Sequence, residues 1–192
     1  MLGVVLPDTC GPGGDLFALV HLPGGDVPLA VNSSGRAGSN ADAAALRDRG
    51  LSEIPIQSHH TITVPGCVDG WEALLERLGT TTLGDALGPA ISLAADGFPV
   101  SSELSASLGR YQDRIASQPS AFELYPDGAA PEPGAVIRRP ALARTLSSLA
   151  AGGRSAFFGG EVGSAIIEVC RGAITRGDLD VVQTEWIDPL GL

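Results

Sequence analysis

Four side chains close together in the sequence have the types that a thiol hydrolase uses. Cys67 is a potential nucleophile, His59 and His60 are potential bases, and Asp69 has the carboxylate that would orient a histidine. Cys67 also follows a glycine at a predicted helix start, where the helix dipole favours a thiolate. Catalytic triads depend on geometry, however, and closeness in sequence does not bring these groups into one site. We therefore predict that Cys67 packs in the core and that the histidines lie in a loop.

Threonines and aspartates elsewhere in the chain have simpler structural explanations. The threonines at 80–82 offer hydroxyl nucleophiles, but they lie between a helix-ending glycine and a further helix. Thr82, with Asp85 three residues later, is therefore predicted to form a capping box. Asp178 and Asp180 would suit a metal pair, yet acids in the first turn of a helix are the better explanation. We predict no metal site.

A glycine-rich segment, CGPGGD at residues 10–15, precedes the first predicted strand. Such a segment either lets the backbone approach a ligand closely or makes a tight turn before a hairpin, and the residues alone leave both open. Phosphate binding is disfavoured, because phosphate loops lead into a helix and usually carry a lysine.

Composition excludes several function classes. The 192 residues have a formal net charge of −10 and a pI near 4.6, which argues against nucleic acid or an anionic membrane as a partner. All twelve basic residues are arginines, so lysine-dependent chemistry such as a Schiff base is excluded. The three cysteines have no zinc or CxxC spacing, which predicts no disulfide framework and suits a reducing compartment.

The first residues, MLGVVLP, lack the basic and long apolar parts of a signal peptide. No window approaches the roughly 18 apolar residues of a membrane span. We expect a cytoplasmic protein, unless an export signal lies in a segment before Met1.

The elements that must position these groups are strands near the N terminus and helices in the rest of the chain. Apolar runs at 15–22 and 27–32 flank a Pro-Gly-Gly-Asp turn and predict a β-hairpin, with a third short strand at 61–64. Three short strands do not close a stable sheet, so part of the fold is expected to be missing from residues 1–192. Helices are predicted at 71–78, 83–96, 102–117, 140–151 and 161–171, with one capped by Ser39 and stopped by Gly50, a surface loop at 119–134 and an extended segment at 178–192.

Two blocks, VPGCVDGW at 64–71 and PAISLAADGFPV at 89–100, resemble the large-subunit half of the gamma-glutamyltransferase family of N-terminal-nucleophile hydrolases. Weaker support comes from GPGGDLFALV at 11–20, PALARTL at 140–146, FFGG at 157–160, and Asp178-Leu179 followed by Trp186. The order and spacing of these motifs agree with the family over nearly the whole chain.

The resemblance implies an α+β fold that is part of a four-layer αββα sandwich, with residues 1–192 forming a single incomplete domain, mostly the helical large-subunit portion. It implies a precursor that cleaves itself, after which the new N-terminal Thr of the small subunit attacks a γ-glutamyl or related amide and forms an acyl-enzyme. The implied partners are that nucleophile-bearing small subunit and a small amide substrate, and no cofactor is needed. Residues 1–192 would then hold no catalytic residue and be inactive alone.

Arg36, in the segment NSSGRAGS at 32–39, is by default a solvated surface residue. It stands, however, where the family has the arginine that clamps the substrate's α-carboxylate, a role that suits the planar, two-pronged guanidinium. Well-studied members follow this arginine with an acid that helps to hold the substrate's amino group, whereas this chain has Ala37. Alternatives therefore stay open: an amidohydrolase acting on a non-glutamyl amide such as oxamate or an N-acyl group, or an inert remnant or assembly module.

Overall fold

The computed structural model describes residues 1–116 and 118–190, in which helices and short strands are mixed. Short 3-10 turns lie at His59–Thr61 and Pro119–Ala121. In chain order the elements are α1 (Leu2–Val5), β1 (Leu16–Val20), β2 (Leu29–Ser33), α2 (Ala43–Asp48), α3 (Cys67–Leu78), α4 (Leu83–Asp96), β3 (Phe98–Pro99), α5 (Ser102–Ile115), β4 (Val136–Ile137), α6 (Pro140–Gly159), α7 (Glu161–Val169), α8 (Arg176–Asp180) and β5 (Glu185–Ile187).

The main sheet has three antiparallel strands in the order β1-β2-β5. Strands β1 and β2 form the predicted hairpin, in register from Leu16 opposite Ser33 to Val20 opposite Leu29. On the other side of β2, Asn32 is opposite Glu185 and Ala30 is opposite Ile187. Residues 185–187 are therefore paired with a hairpin from the beginning of the chain.

The two faces of this sheet differ in burial. One face packs on α3, and there Val31 is 3% exposed and Ser33 is fully buried. On the opposite face, Phe17 is 69% and Leu19 is 71% exposed, and Ile187 shares this face because it is in register with Leu19 through Ala30. We call this second surface, formed by Phe17, Leu19 and Ile187, the open sheet face. Asn32 and Glu185 lie on the same face, and Ala30, between Leu19 and Ile187, is buried at 5% exposure.

By its internal contacts the chain divides into two compact units. The first comprises Met1–Gly11 and Thr81–Ala151. Its core contains Val4, Leu104 and Leu149, each 2% exposed or less. Strands β3 and β4 pair here as a short ribbon, and Arg139 donates to the carbonyl oxygens of Gly3 and Val4. Burial lowers the pKa of Arg139, which Glu123 partly opposes.

The second unit comprises Pro12–Thr80 and Gly152–Leu192 and holds the three-stranded sheet with α2, α3, α7 and α8. Its buried side chains include Val68, Phe158, Ile174 and Leu179. All of the candidate site residues described below belong to this unit.

Local signals located several elements correctly. Helix α4 spans the predicted residues, Thr82 Oγ1 accepts from the Asp85 amide at 3.1 Å, and Gly97 ends the helix at φ +101°. The predicted strand at 61–64 is wrong, because a 3-10 turn capped by Ser58 occupies its start. The N-cap of α2 is Asp42 and not Ser39, since the Asp42 carboxylate accepts from the amides of Ala44 and Ala45.

Other element boundaries also differ from the predicted ones. Helix α3 starts at Cys67, so that most of the VPGCVDGW block is helical. Helix α6 continues to Gly159 through a kink at Gly153. The segment after residue 178, predicted to be extended, contains the end of α8 before strand β5 begins.

No helix in the described ranges combines the length and apolar character needed to cross a bilayer.

Candidate functional site

Arg36 lies just beyond the end of β2, where the chain passes very close to a neighbouring segment. Gly35 donates its amide to Asp15 Oδ1 at 2.9 Å. A Cβ atom on Gly35 would lie 1.4 Å from the carbonyl oxygen of Val64, so only glycine fits here. The start of the VPGCVDGW block thus packs directly against the backbone that leads into Arg36.

The main chain of Arg36 is held on both sides, while its side chain faces solvent. Its amide donates to Gln183 Oε1 at 3.2 Å, and its carbonyl oxygen accepts from the Val64 amide at 2.9 Å. The side chain is 68% exposed, and its Nη2 donates to Glu185 Oε1 at 2.5 Å. The result is an accessible guanidinium, carried on a held backbone, beside a carboxylate.

The glycine-rich turn and the VPGCVDGW block meet at the end of β2. The carbonyl oxygen of Gly14 accepts from the amides of Gly66 and Cys67, at 3.0 and 2.8 Å. The buried hydroxyl of Ser33 donates to the Gly66 carbonyl oxygen at 2.6 Å and lies 2.6 Å from Thr184 Oγ1. These bonds favour the structural interpretation of the glycine-rich turn, since its backbone contacts the protein itself.

A buried carboxylate fixes the segment that carries Glu185. Asp69, whose side chain is fully buried, accepts from Arg154 Nε at 2.8 Å and from the Gln183 amide at 2.7 Å. Arg154 also donates to the Leu179 carbonyl oxygen at 2.5 Å and stacks over Phe158 at 4.8 Å. Both carboxylate oxygens of Asp69 accept hydrogen bonds. The VPGCVDGW block therefore stabilises the candidate site from within the core.

The loop after Arg36 is anchored by Asp178. The amide of Ser39 donates to both carboxylate oxygens at 3.1 Å, and its hydroxyl donates to Oδ2 at 3.0 Å. Asp178 also accepts from the Thr175 amide, and Thr175 forms a capping box for α8. Partial burial raises the pKa of Asp178, but the hydrogen bonds from Thr175 and Ser39 lower it more, so the pKa lies below its ordinary value.

This shift predicts an acid-sensitive anchor. A carboxylate whose folded pKa is depressed contributes stability above its unfolded pKa and loses that contribution as the pH falls through the folded pKa. We expect the unfolding free energy of the wild-type chain to fall more steeply below about pH 4 than that of the Asp178→Asn variant. Urea unfolding of both proteins across the acid range measures this. Parallel pH profiles for the two proteins would contradict the assignment.

The structure does not assemble the thiol hydrolase site. Asp69 is committed to Arg154 and Gln183, so it orients neither histidine. His59 and His60 stack on each other at 3.9 Å, and Cys67 is buried. Asp178 caps α8, as the helix interpretation predicted. Within the described residues, no three His, Cys, Asp or Glu side chains are placed to hold a metal ion.

Glu185 and Gln183 are the site residues that the sequence did not reveal. Both lie in the segment around β5 and reach Arg36 only because β5 pairs with β2. No local motif marks them, although Trp186 beside Glu185 was among the residues that carried the family resemblance.

Comparisons with known proteins agree on one family. The family model for gamma-glutamyltranspeptidase matches residues 1–192. The glutathione hydrolase-like YwrD proenzyme of Bacillus subtilis (strain 168) is 34% identical over 194 residues, covering 98% of this chain and 37% of that protein. The oxamate amidohydrolase proenzyme of Klebsiella pneumoniae is 35% identical over 202 residues, covering 100% of this chain and 38% of that protein.

A solved structure shows the same backbone arrangement. The crystal structure of Helicobacter pylori gamma-glutamyltranspeptidase superposes with a TM-score of 0.90 at 26% sequence identity, covering 98% of this chain and 56% of that one. The chain spans 37% and 38% of the lengths of the two curated relatives.

Proposed function

Because this chain belongs to the gamma-glutamyltranspeptidase family, we propose that it is the large-subunit portion of an enzyme that hydrolyses or transfers γ-glutamyl or related amides. The predicted α+β class is confirmed, and the fold is that of the N-terminal-nucleophile hydrolases of this family. Members of the family are hydrolases and transferases, and the two curated relatives are described as proenzymes. The substrate, the nucleophile and the role of Arg36 are parts of the proposal.

The observation that carries the proposal is the guanidinium of Arg36. Its backbone is fixed by Val64 and Gln183, while its side chain is 68% exposed at the end of β2. An accessible guanidinium on a held backbone suits recognition of a carboxylate, which it binds through parallel hydrogen bonds. Arg36 would therefore hold the α-carboxylate of the substrate and orient its amide.

The chemistry would come from a threonine outside residues 1–192. Its hydroxyl attacks the amide carbonyl and its own α-amine takes the hydroxyl proton, giving a tetrahedral intermediate. Collapse of that intermediate releases the amine, protonated from the α-ammonium, and leaves an acyl-threonine ester. Water or an acceptor amine then attacks the ester and restores the hydroxyl. Residues 1–192 contribute binding and packing to this sequence.

The open sheet face is the proposed contact with the nucleophile-bearing small subunit of the same precursor. Phe17 and Leu19 expose 69% and 71% of their surface there, on a sheet that has three strands within the described residues. Exposed apolar surface of this kind is typical of a surface that another element covers. A second sheet laid on this face would bury both side chains and complete the sandwich of the family.

We expect Leu19→Asp to impair assembly with the small subunit while leaving the folding of this chain nearly unchanged. Since Leu19 is exposed, the change should move the unfolding free energy of this chain by no more than about 0.5 kcal/mol. In the full-length precursor it should lower the yield of assembled, processed enzyme roughly tenfold, because an unpaired carboxylate in an apolar contact is costly. Size-exclusion chromatography and gel analysis of the two subunits measure the yield.

Ile56→Asp is the matched control, because Ile56 is 76% exposed but lies in a loop of the same unit, away from the sheet strands. Equal yields of assembled enzyme for the two variants would show that the open sheet face is not the assembly surface.

A second candidate function is hydrolysis of a non-glutamyl amide. Ala37 stands where well-studied members have an acid, and the oxamate amidohydrolase proenzyme is 35% identical over 202 residues. An enzyme of this type would bind a carboxylate at Arg36 with no need to hold an amino group.

The proposal is tested with the full-length protein. We expect the purified protein to be found as two polypeptides, the second beginning with threonine, and to release product from γ-glutamyl-p-nitroanilide, oxamate or an N-acyl amide. Mass spectrometry of the subunits and chromatography of the products measure both. An uncleaved protein that turns over none of these amides would leave the remnant or assembly-module alternative.

A further inference from the structure

We infer that Gln183 is a positioning residue, which holds the main chain of Arg36 so that the guanidinium is presented to the α-carboxylate of the substrate. This inference rests on the proposed carboxylate-binding role of Arg36. In this role Gln183 needs no contact with the substrate, since it acts through Arg36.

Gln183 is a buried polar residue whose side-chain amide is hydrogen-bonded at both ends. It is 6% exposed, although glutamine is mostly a surface residue. Its Oε1 accepts from the Arg36 amide at 3.2 Å, and its Nε2 donates to the Val181 carbonyl oxygen at 2.8 Å. A buried amide without such partners costs free energy, so these two bonds explain why a glutamine is tolerated here.

The two partners also determine which way the amide of Gln183 points. The Arg36 amide can only donate and the Val181 carbonyl oxygen can only accept, so the oxygen of Gln183 must face Arg36. Methionine would fill a similar volume and make neither bond. The side chain at position 183 therefore links two segments of main chain, which filling space alone does not require.

The main chain of Gln183 is attached to the core. Its amide donates to Asp69 Oδ2 at 2.7 Å, and Asp69 Oδ1 accepts from Arg154 Nε at 2.8 Å. The Asp69 side chain is fully buried. A chain of hydrogen bonds thus runs from Arg154 through Asp69 and Gln183 to the main chain of Arg36, so that the support of Arg36 begins in the interior.

The segment that carries Arg36 is held at three points. Gln183 accepts from the Arg36 amide, the Val64 amide donates to the Arg36 carbonyl oxygen at 2.9 Å, and Asp178 accepts from the Ser39 amide at 3.1 Å. Loss of the Gln183 side chain leaves the other two attachments in place. We therefore expect the segment to stay folded while the main chain of Arg36 is held on one side only.

The main chain of Arg36 matters for binding because its side chain is exposed. The side chain is 68% exposed, and an arginine in solvent gives up rotamer freedom when it binds a ligand. A main chain that is already held in place limits this cost to the side chain itself. Without Gln183 the ligand would also have to order the main chain of Arg36, so the carboxylate should bind more weakly.

The test uses the full-length processed protein and two substrates that differ only in the α-carboxylate: γ-glutamyl-p-nitroanilide and 4-aminobutyryl-p-nitroanilide. We expect Gln183→Met to raise KM for the γ-glutamyl substrate about fivefold, the value of one neutral hydrogen bond, with kcat nearly unchanged. KM for the 4-aminobutyryl substrate should stay the same, because this substrate offers Arg36 no carboxylate. Equal effects on both substrates would overturn the inference, since a general loss of structure acts on both.

A matched control and a second variant accompany this measurement. Gln112 Oε1 also accepts from a main-chain amide, that of Ala130 at 2.9 Å, in the first unit, so Gln112→Met should leave the ratio of the two substrates unchanged. Gln183→Asn keeps an amide in the interior but is one methylene shorter, so it cannot reach both Arg36 and Val181. It should act like Gln183→Met, and urea unfolding checks that each variant is folded.

A binding measurement separates this inference from the proposed function. Calorimetric titration of the full-length protein with L-glutamate and with 4-aminobutyrate needs no turnover. We expect wild type to prefer L-glutamate, Arg36→Ala to lose that preference, and Gln183→Met to reduce it about fivefold.

The outcomes of the titration are distinct. If the preference changes as expected but neither p-nitroanilide is hydrolysed, the proposed reaction fails and the role of Gln183 stands. If Arg36→Ala loses the preference and Gln183→Met keeps it in full, only the role of Gln183 fails. If Arg36→Ala keeps the preference, the carboxylate anchor fails and this inference fails with it.

Discussion

Asp69→Ala is expected to lower the free energy of unfolding of this chain by about 3–5 kcal/mol, because it leaves the charge of Arg154 without its buried partner. Asp69 has a fully buried side chain and accepts from both Arg154 Nε and the Gln183 amide. The substitution removes both acceptors at once and opens a small void beside α3. Urea unfolding followed by circular dichroism measures the loss.

Two further variants make this prediction specific. Asp48→Ala removes an exposed carboxylate from a helix of the same unit and should change the unfolding free energy by less than about 0.5 kcal/mol. Adding Arg154→Met to Asp69→Ala should recover part of the stability, since the uncompensated charge is then gone. If Asp69→Ala cost no more than Asp48→Ala, the ion pair would not be the internal support of the β5 segment.

Arg36→Ala is expected to lower kcat/KM for γ-glutamyl-p-nitroanilide about 100-fold in the full-length processed protein. Two parallel charge-assisted hydrogen bonds to a carboxylate contribute about 3 kcal/mol, which corresponds to that factor. The loss should fall mainly on KM, because the carboxylate is distant from the reacting amide and is bound alike in the ground and transition states. Steady-state kinetics over a range of substrate concentrations separates KM from kcat.

Arg36→Lys and Arg47→Ala are the comparisons. Lysine keeps the charge but not the planar pair of donors, so Arg36→Lys should have intermediate activity. Arg47 is exposed in the last turn of α2, and its replacement by alanine removes the same charge without touching the site. Equal turnover by Arg36→Ala and Arg47→Ala would show that Arg36 is not the anchor.

Elements whose signals lie within a few residues of each other could be located from the sequence. Thr82, Asp85 and Gly97 mark the two ends of α4 through bonds and backbone angles that involve only their neighbours. The β1–β2 hairpin was likewise predicted, because its turn and its two apolar runs are contiguous. The resemblance carried by the 64–71 and 89–100 blocks identified the family.

Elements stabilised by distant residues were placed wrongly. Two glycines at 152–153 suggest a helix stop, yet α6 resumes after the kink because Glu72 Oε1, on α3, accepts from the Arg154 amide at 2.7 Å. The segment at 61–64 has the composition of a strand, but Val64 makes a single bond to the Arg36 carbonyl oxygen and joins no ladder. Neither contact could be predicted from the residues next to it in the sequence.

Local periodicity and contiguous turns were enough to predict a mixture of strands and helices. The short motifs carried the family resemblance, and that resemblance alone made Arg36 the candidate anchor. By contrast, the contact of Glu185 with Arg36 and the buried pair of Asp69 with Arg154 could be seen only in three dimensions. The pairing of β2 with β5 brings the two ends of the second unit together, and the residues that meet there have no spacing that a sequence pattern can reveal.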